Sequence, residues 1–223
     1  MLQLKTLFLM LFVINSVLHL IFSWQDDRKL RAYTKPFLLI FLLLYYLAYG
    51  KPVYYPLALA LLTSWLGDVL LIPKGHKWFA AGGIAFMFSH VFFILVYLRN
   101  IDLSHQPWLL IIPLAVLYYG IALKIIFSLK DNTPKAMLFP MYFYLLCNST
   151  MNLFALMQFC TNRNPASLTA YIGALLFYIS DCTLFLVRYH RNGEKIIFKK
   201  HFTVMLTYLL GEFLITYGVL LLK

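Results

Sequence analysis

Long runs of apolar residues fill most of the chain, and short polar segments separate them. Each run approaches the length of about 20 residues that an α-helix needs to cross the hydrocarbon core of a bilayer. The runs lack the period-two alternation of membrane β-barrel strands, so each one predicts a helix. Predicted helices 1 to 8 cover residues 4–24, 33–50, 52–72, 77–99, 107–129, 135–159, 165–189 and 199–222.

The polar segments contain charges and helix breakers, as in Gly50-Lys51-Pro52. Proline is favoured in the first turn of a helix. It stands just inside a predicted helix start at Pro36, Pro107, Pro134 and Pro165. The first run is long for the apolar part of a signal peptide and no cleavage site follows it, so we expect a retained helix. The sequence predicts an all-α polytopic membrane protein, with residues 1–223 forming one bundle of eight transmembrane helices.

Composition supports a membrane location, because 62% of the residues are hydrophobic and only 12% are charged. Soluble domains carry about 25% charged residues. The formal net charge of +11 would suggest a nucleic-acid partner in a soluble protein. Here the basic residues lie at the ends of apolar runs, where they anchor helices, so we expect surrounding membrane lipid and no nucleic acid as partner.

The distribution of basic residues predicts the topology. Fourteen of the 19 lysines and arginines lie in or beside the joins after predicted helices 1, 3, 5 and 7. The positive-inside rule makes these joins cytoplasmic. Both termini are then non-cytoplasmic, and the even number of predicted helices agrees, because it places both termini on one side of the membrane. The five basic residues predicted on the opposite side are Lys5, Lys51, Arg99, Arg163 and Lys223.

Three of the eight acidic residues, Asp68, Asp181 and Glu212, have apolar neighbours on both sides. A carboxylate in a membrane span costs about 2.5–3.5 kcal/mol on insertion scales, and such residues are functional candidates by default. One acid can simply pair with a base and join two helices. Three acids with few buried bases favour a functional role.

The topology predicts where these polar residues lie in the membrane. Asp68 and Asp181 fall near the cytoplasmic ends of their helices, and Lys35 begins predicted helix 2 on the same side. Glu212, His90 and Asn148 fall near mid-membrane. Helical spacing also groups polar neighbours on shared faces, and for Ser64, Asn152 and Thr216 we expect interhelical hydrogen bonds.

Metal and cofactor chemistry find little support. A zinc site with three histidines is disfavoured, because at most two histidines, His90 and His19, are deep enough in predicted helices. The three cysteines lack metal-ligand or redox spacing and fit buried small apolar residues. We therefore expect no metal and no cofactor. The cysteines are Cys147, Cys160 and Cys182.

Several motifs in helix order resemble the lysoplasmalogenase-like family of eight-helix membrane proteins, the YhhN-type family. The matching motifs are Thr34-Lys35-Pro36, Ser64-Trp65-Leu66-Gly67-Asp68-Val69-Leu70-Leu71, the Gly83, Phe86 and His90 spacing, Gly173-Ala174-Leu175-Leu176-Phe177-Tyr178-Ile179-Ser180-Asp181, and Tyr208 followed by Glu212-Phe213-Leu214-Ile215. Two positions depart from the family pattern. Glu212 stands where we expect glutamine, and Phe93 stands where we expect a tyrosine nearby.

The resemblance implies hydrolysis of the vinyl-ether bond of lysoplasmalogens, which are lysophospholipid substrates, to a fatty aldehyde and a glycerophospho-headgroup. The chemistry suits two carboxylates, because protonation at carbon gives an oxocarbenium ion that water captures. Glycosidases use two carboxylates for a related oxocarbenium-like transition state. We expect Asp68 and Asp181 to be the catalytic pair, near the cytoplasmic leaflet. The residues expected to contact substrate are Lys35, His90, Asn148, Ser180, Tyr208 and Glu212.

Two alternatives stay open at the level of sequence. An intramembrane aspartyl protease also uses two aspartates on helices, but here Trp65 replaces the first glycine of Gly-X-Gly-Asp and the Pro-Ala-Leu element is absent. A small proton-coupled transporter can use Asp68, Asp181 and Glu212 as relay carboxylates. Such transporters often contain two similar halves, which are not evident in this sequence.

Overall fold

A computed structural model describes residues 2–191 and 197–222 of the chain, and the regular secondary structure in this part is entirely helical. Lys195 and Lys223, which counted toward the topology prediction, lie outside the described residues, as do Asn192, Gly193 and Glu194 of the same predicted join as Lys195. The helices are α1 (Leu2–Trp24), α2 (Arg28–Thr34), a 3₁₀ turn (Lys35–Phe37), α3 (Leu38–Leu47), α4 (Tyr55–Leu70), α5 (His76–Leu98), α6 (Trp108–Leu129), α7 (Lys135–Asn162), α8 (Pro165–Tyr189) and α9 (Lys200–Leu221).

All eight predicted helical segments are confirmed as helical, and predicted helix 2 differs most from the structure. It was expected to begin at residue 33, whereas α2 begins at Arg28. Asp27 causes the early start, because its carboxylate accepts a hydrogen bond of 3.1 Å from the backbone N–H of Leu30. A capped helix can begin in a charged segment that the apolar pattern excludes.

The prolines behave in two ways. Pro165 is the first residue of α8, as predicted, and Asn164 before it forms a capping box with Ser167. The prediction for Pro36 was wrong: it lies within the 3₁₀ turn between α2 and α3. Because proline lacks an N–H and its ring crowds the preceding turn, it breaks the α-helical hydrogen bonds at this point.

Six helical segments in the described residues are long and apolar enough to cross a membrane: Gln3–Trp24, Arg28–Leu47, His76–Leu98, Trp108–Leu129, Pro165–Tyr189 and Lys200–Leu221. The segment Arg28–Leu47 contains α2, the 3₁₀ turn and α3. The helix α4 is apolar but has only 16 residues. The helix α7 has 28 residues and is more polar, with Asn148, Asn152 and Gln158 buried along it. These properties fit an integral membrane protein.

The chain divides into two compact units, Met1–Phe93 and Ile94–Lys223, with the boundary inside α5. In the first unit α3 packs against α1 and α4. In the second unit α8 packs against both α7 and α9, and α6 packs against α7. Large apolar side chains such as Leu109 and Phe139 remain exposed on the helices, as expected where a surface faces lipid.

The contact between α8 and α9 depends on small residues. A Cβ atom built on Gly173 would lie 2.6 Å from the backbone N of Ile215, and one on Gly218 would lie 2.5 Å from the backbone N of Ala170. One on Gly211 would lie 2.9 Å from the carbonyl oxygen of Gly173. These backbones therefore touch, as at other membrane interfaces of small residues.

Candidate functional site

The first unit contains an ion pair between two of the predicted site residues. Nζ of Lys35 lies 3.3 Å from Oδ1 of Asp68, and the two side chains are only 16% and 3% exposed. Lys35 begins the 3₁₀ turn, and Asp68 lies two residues before the end of α4. The prediction that Lys35 begins a helix was wrong. The predicted similar depth of Lys35 and Asp68 agrees with the contact.

Side chains from two helices hold the turn that carries Lys35. From α1, Asn15 donates to the carbonyl oxygen of Thr34 at 3.0 Å, and Nδ1 of His19 lies 2.7 Å from the Thr34 hydroxyl. From α4, Nε1 of Trp65 donates to the carbonyl oxygen of Pro36 at 2.8 Å. These contacts were not predicted from the sequence. The sequence feature that indicates the α1 contacts is the four-residue spacing of Asn15 and His19, which puts both side chains on one face of the helix.

The hydroxyl groups of Ser64 on α4 and Ser89 on α5 form a hydrogen bond of 2.6 Å, which confirms the interhelical bond expected for Ser64. His90, the next residue after Ser89, is fully buried on α5 within the first unit. A Cβ atom on Gly67 would lie 2.6 Å from the Phe86 ring, so the two helices approach closely beside Asp68.

In the second unit, Asp181 on α8 is buried and faces a polar stripe on α7. Nδ2 of Asn148 donates to Oδ2 of Asp181 at 2.8 Å. The hydroxyl of Tyr144, one turn before Asn148, also hydrogen bonds to Asp181. Asn152, one turn after Asn148, donates to the Asn148 side chain at 3.1 Å. Two donors from the stripe, Asn148 and Tyr144, therefore contact one carboxyl, and the Tyr144 contact was not predicted from the sequence.

Ser180, Tyr208 and Glu212 also lie in the second unit. Ser180 donates to the carbonyl oxygen of Val204 at 2.9 Å, so its hydroxyl links α8 to α9. The Tyr208 ring packs edge-on against Phe177 with centroids 5.4 Å apart. Glu212 is fully buried on α9 and lies within electrostatic range of the Tyr97 hydroxyl.

The expectation that Asn152 and Thr216 make interhelical bonds was wrong, because each side chain bonds within its own helix. Thr216 donates to the carbonyl oxygen of Glu212 at 2.8 Å, within α9. Asn152 donates to the backbone and side-chain oxygens of Asn148, within α7. Polar side chains in helices often satisfy themselves by bonding to the residue one turn earlier, and spacing alone does not distinguish this from an interhelical bond.

The predicted site residues therefore form two groups. Lys35 and Asp68 make direct contact in the first unit, which also contains His90. Asn148 and Asp181 make direct contact in the second unit. That unit also contains Ser180, Tyr208 and Glu212. In both contacts a buried carboxylate faces a donor on a neighbouring helix, so each carboxyl is held at a fixed position.

Comparison with known proteins agrees with the resemblance seen in the motifs. A model of the YhhN family matches residues 30–219. The chain belongs to the YhhN family. This family includes lysoplasmalogenases. No curated protein and no solved structure matches the chain.

The YhhN match covers all eight predicted site residues, from Lys35 to Glu212. It begins at residue 30, after the end of α1. Asn15 and His19 therefore precede the matched region, although both contact the turn that carries Lys35.

Proposed function

We propose that the protein is a lysoplasmalogenase that hydrolyses the vinyl-ether bond of lysoplasmalogens, with Asp68 and Asp181 as its two carboxylates. Membership of the YhhN family supports this reaction. The observation that carries the proposal is the burial of both aspartates, which are 2% and 4% exposed, beside fixed donors. Burying carboxyl groups in an apolar protein is unfavourable, and such groups are retained most often for function.

The reaction begins when a carboxylic acid donates a proton to the vinyl carbon that is not bonded to oxygen. The electron pair of the double bond forms the new C–H bond, and an oxocarbenium ion results. Water adds to the cationic carbon and gives up a proton to a carboxylate, giving a hemiacetal. The hemiacetal then breaks its C–O bond to glycerol while its hydroxyl proton is transferred to the glycerol oxygen, which releases a fatty aldehyde and a glycerophospho-headgroup. The net reaction consumes one water molecule.

The neighbours of the two aspartates support different roles. The Lys35 ammonium compensates a negative charge at Asp68, so we assign to Asp68 the role of stabilising the cation and accepting the water proton. The proton donor is then Asp181, whose position is fixed by Asn148 and Tyr144. General acid–base catalysis requires this division between one protonated and one ionised group.

Lys35 also provides a contact for the substrate phosphate. An ammonium group has three N–H donors, and the Asp68 contact uses one of them. The others are available to a phosphate diester, which Lys binds as a point charge. The alkenyl chain of the substrate would then extend among apolar side chains, and His90, Asn148, Ser180, Tyr208 and Glu212 would contribute to substrate binding.

The proposal includes the full membrane arrangement predicted from the sequence. In it α4 and α7 cross the bilayer together with the six more apolar segments, which makes eight spans. Both termini are non-cytoplasmic, and Asp68 and Asp181 lie toward the cytoplasmic leaflet, where a lysophospholipid would present its polar end at the interface.

The deciding experiment uses purified protein in detergent with a lysoplasmalogen and, separately, its saturated ether analogue. Only the vinyl ether can be protonated at carbon, so fatty aldehyde should appear from the first lipid alone. If folded protein released no aldehyde from the vinyl ether, the proposal would be contradicted. Cleavage of a peptide substrate or proton-coupled uptake into vesicles would then favour the protease or the transporter.

A further inference from the structure

We infer that Asn15 and His19 on α1 are positioning residues, which fix the turn Thr34–Pro36 so that Lys35 is directed onto Asp68. The activity part of this inference rests on the proposed function, and its structural part does not. The two residues lie outside the region that matches the family. They are nevertheless the α1 side chains that hydrogen bond to Thr34, the residue before Lys35.

The turn needs external partners because Pro36 interrupts the helix. The backbone N–H of Leu38 bonds to the carbonyl oxygen of Lys35, as in a 3₁₀ turn, and not to that of Thr34, as an α-helix would require. The Thr34 carbonyl is thereby released, and Asn15 donates to it at 3.0 Å. In a bilayer a broken helix persists where neighbouring helices supply such replacement bonds.

The hydrogen bonds of the Thr34 hydroxyl indicate which side chain donates in its contact with His19. The Thr34 hydroxyl has one proton, and it lies 3.1 Å from the Leu30 carbonyl and 3.2 Å from the Arg31 carbonyl, which accept it. We therefore assign to His19 the tautomer with a proton on Nδ1, because the two carbonyls can only accept and all three contacts are then hydrogen bonds. His19 is 1% exposed, so water does not compete for this bond.

The turn is held on both sides of Lys35. Thr34 is bound from α1, and the Pro36 carbonyl is bound by Trp65 from α4. Asp68 lies on the same helix, three residues after Trp65 and on the same face. The bonds from α1 and α4 thus fix the backbone on each side of Lys35, and the Lys35 ammonium reaches the carboxylate at 3.3 Å.

The structural test measures how fast Lys35 is acetylated by an amine-reactive ester in the purified full-length protein, with the exposed Lys124 as internal reference. An ammonium group held on a carboxylate reacts slowly. His19→Leu should raise the Lys35 rate several-fold. His19→Asn places an N–H donor near the position of Nδ1 and should retain the slow rate, whereas His19→Gln places its donor near the position of Nε2 and should behave like His19→Leu.

Two further variants complete this test. Ser16→Ala changes a buried hydroxyl on α1 that has no hydrogen-bond partner among the described residues, and it should leave the rate unchanged. Thr34→Val keeps the shape of the side chain and removes the hydroxyl, so it replaces His19→Leu if that variant does not fold. A wild-type Lys35 rate in folded His19→Leu or in Thr34→Val would overturn the inference, as would equal rates in the Asn and Gln variants.

The activity test adds the kinetics of vinyl-ether hydrolysis. His19→Leu should lower kcat/KM several-fold, and His19→Asn should recover it, a pattern that a general packing defect would not give. Equal losses in the two variants would overturn a role in catalysis. If the wild-type protein does not hydrolyse the vinyl ether, the proposed function fails, and the acetylation rates still decide whether α1 positions Lys35.

Discussion

Lys35 and Asp68 form a buried ion pair with 3.3 Å between Nζ and Oδ1. The lysine comes from a turn that Pro36 forces out of the α-helical pattern, and the aspartate comes from the last turn of α4. A buried carboxylate without its cation is strongly unfavourable, whereas replacing both partners by apolar groups is often neutral. The pair therefore couples the stability of the protein to the charges of two proposed functional residues.

This coupling gives the first prediction. Lys35→Met should destabilise the protein by up to about 3–5 kcal/mol, because it removes the cation that compensates the buried Asp68 carboxylate. The double variant Lys35→Met/Asp68→Leu should recover much of that loss without recovering activity. Denaturation in detergent, followed by circular dichroism, measures both variants. Lys77→Met at the exposed start of α5 is the control, and a double variant less stable than Lys35→Met would contradict the coupling.

The second prediction concerns catalysis. Asp68→Asn and Asp181→Asn should each lower kcat by about 10²–10⁴-fold, since acid–base groups contribute that much and asparagine keeps shape and hydrogen bonding. Aldehyde release from a lysoplasmalogen is the measurement. A variant that folds and retains near-full turnover would make its aspartate structural.

Asp102→Asn is the matched control for these two variants. Asp102 lies in the loop after α5, where hydrogen bonds from Ser104 and His105 lower the pKa of its carboxyl to about 2. It therefore stays ionised across the pH range of the assay, and its removal should leave turnover unchanged.

The third prediction distinguishes two roles for Glu212. Glu212 is fully buried, and a role as a neutral hydrogen-bonding group is one that the amide of glutamine can also fill. Glu212→Gln should therefore keep most of the activity near neutral pH, and Glu212→Leu should lose much of it. Activity measured over a pH series tests both variants. An inactive Gln variant would mean that Glu212 acts as a third carboxylate.

The fourth prediction concerns the contact of α8 with α9. Gly211→Ala should destabilise the protein by about 1–3 kcal/mol, the typical cost of overpacking, because its Cβ would lie 2.9 Å from the Gly173 carbonyl oxygen. Gly120→Ala on α6 is the control, since a Cβ there has nothing within 4 Å. Thermal denaturation in detergent compares them. Equal midpoints would show that the helices can separate at little cost.

The fifth prediction tests orientation by cysteine labelling in a background without Cys147, Cys160 and Cys182. A cysteine introduced near Asn192 should resist an impermeant thiol reagent in intact cells, because that join is predicted to be cytoplasmic. One introduced near Asn164 should react. Ser104→Cys, in an exposed loop predicted to lie outside, adds a second reactive position. The reverse pattern would invert the topology and place the proposed site at the other leaflet.

The sequence predicted the helices well because lipid leaves the backbone little choice. An apolar run of about 20 residues in a membrane protein must bond to itself, so helix positions follow from hydropathy. The start of α2 was missed because Asp27 caps it inside a charged segment, where hydropathy gives no signal. The break at Pro36 was missed as a consequence, because a proline near a helix start is tolerated, whereas one further along the helix interrupts it.

Contacts between helices were harder to predict than their positions. Depth along the helix axis can be read from the sequence, which is why Lys35 and Asp68 were expected at one level. The rotation of each helix about its axis depends on packing, so the ion pair itself and the Tyr144–Asp181 bond were not predicted. His19 was considered only as one of two histidines deep enough in a predicted helix to bind a metal, and its contact with Thr34 shows a different role.

The polar stripe on α7 has a consequence for how the chain enters the membrane during synthesis. Asn148 and Asn152 lie at its centre, and a helix with such side chains is poorly held by hydrocarbon alone. The side-chain N–H group of Asn148 donates to Asp181 on the next helix, and the connection between the two helices is just Arg163 and Asn164. In the proposed arrangement of eight spans, α7 and α8 must therefore insert together as a hairpin, with the carboxyl of Asp181 already bonded when it leaves water.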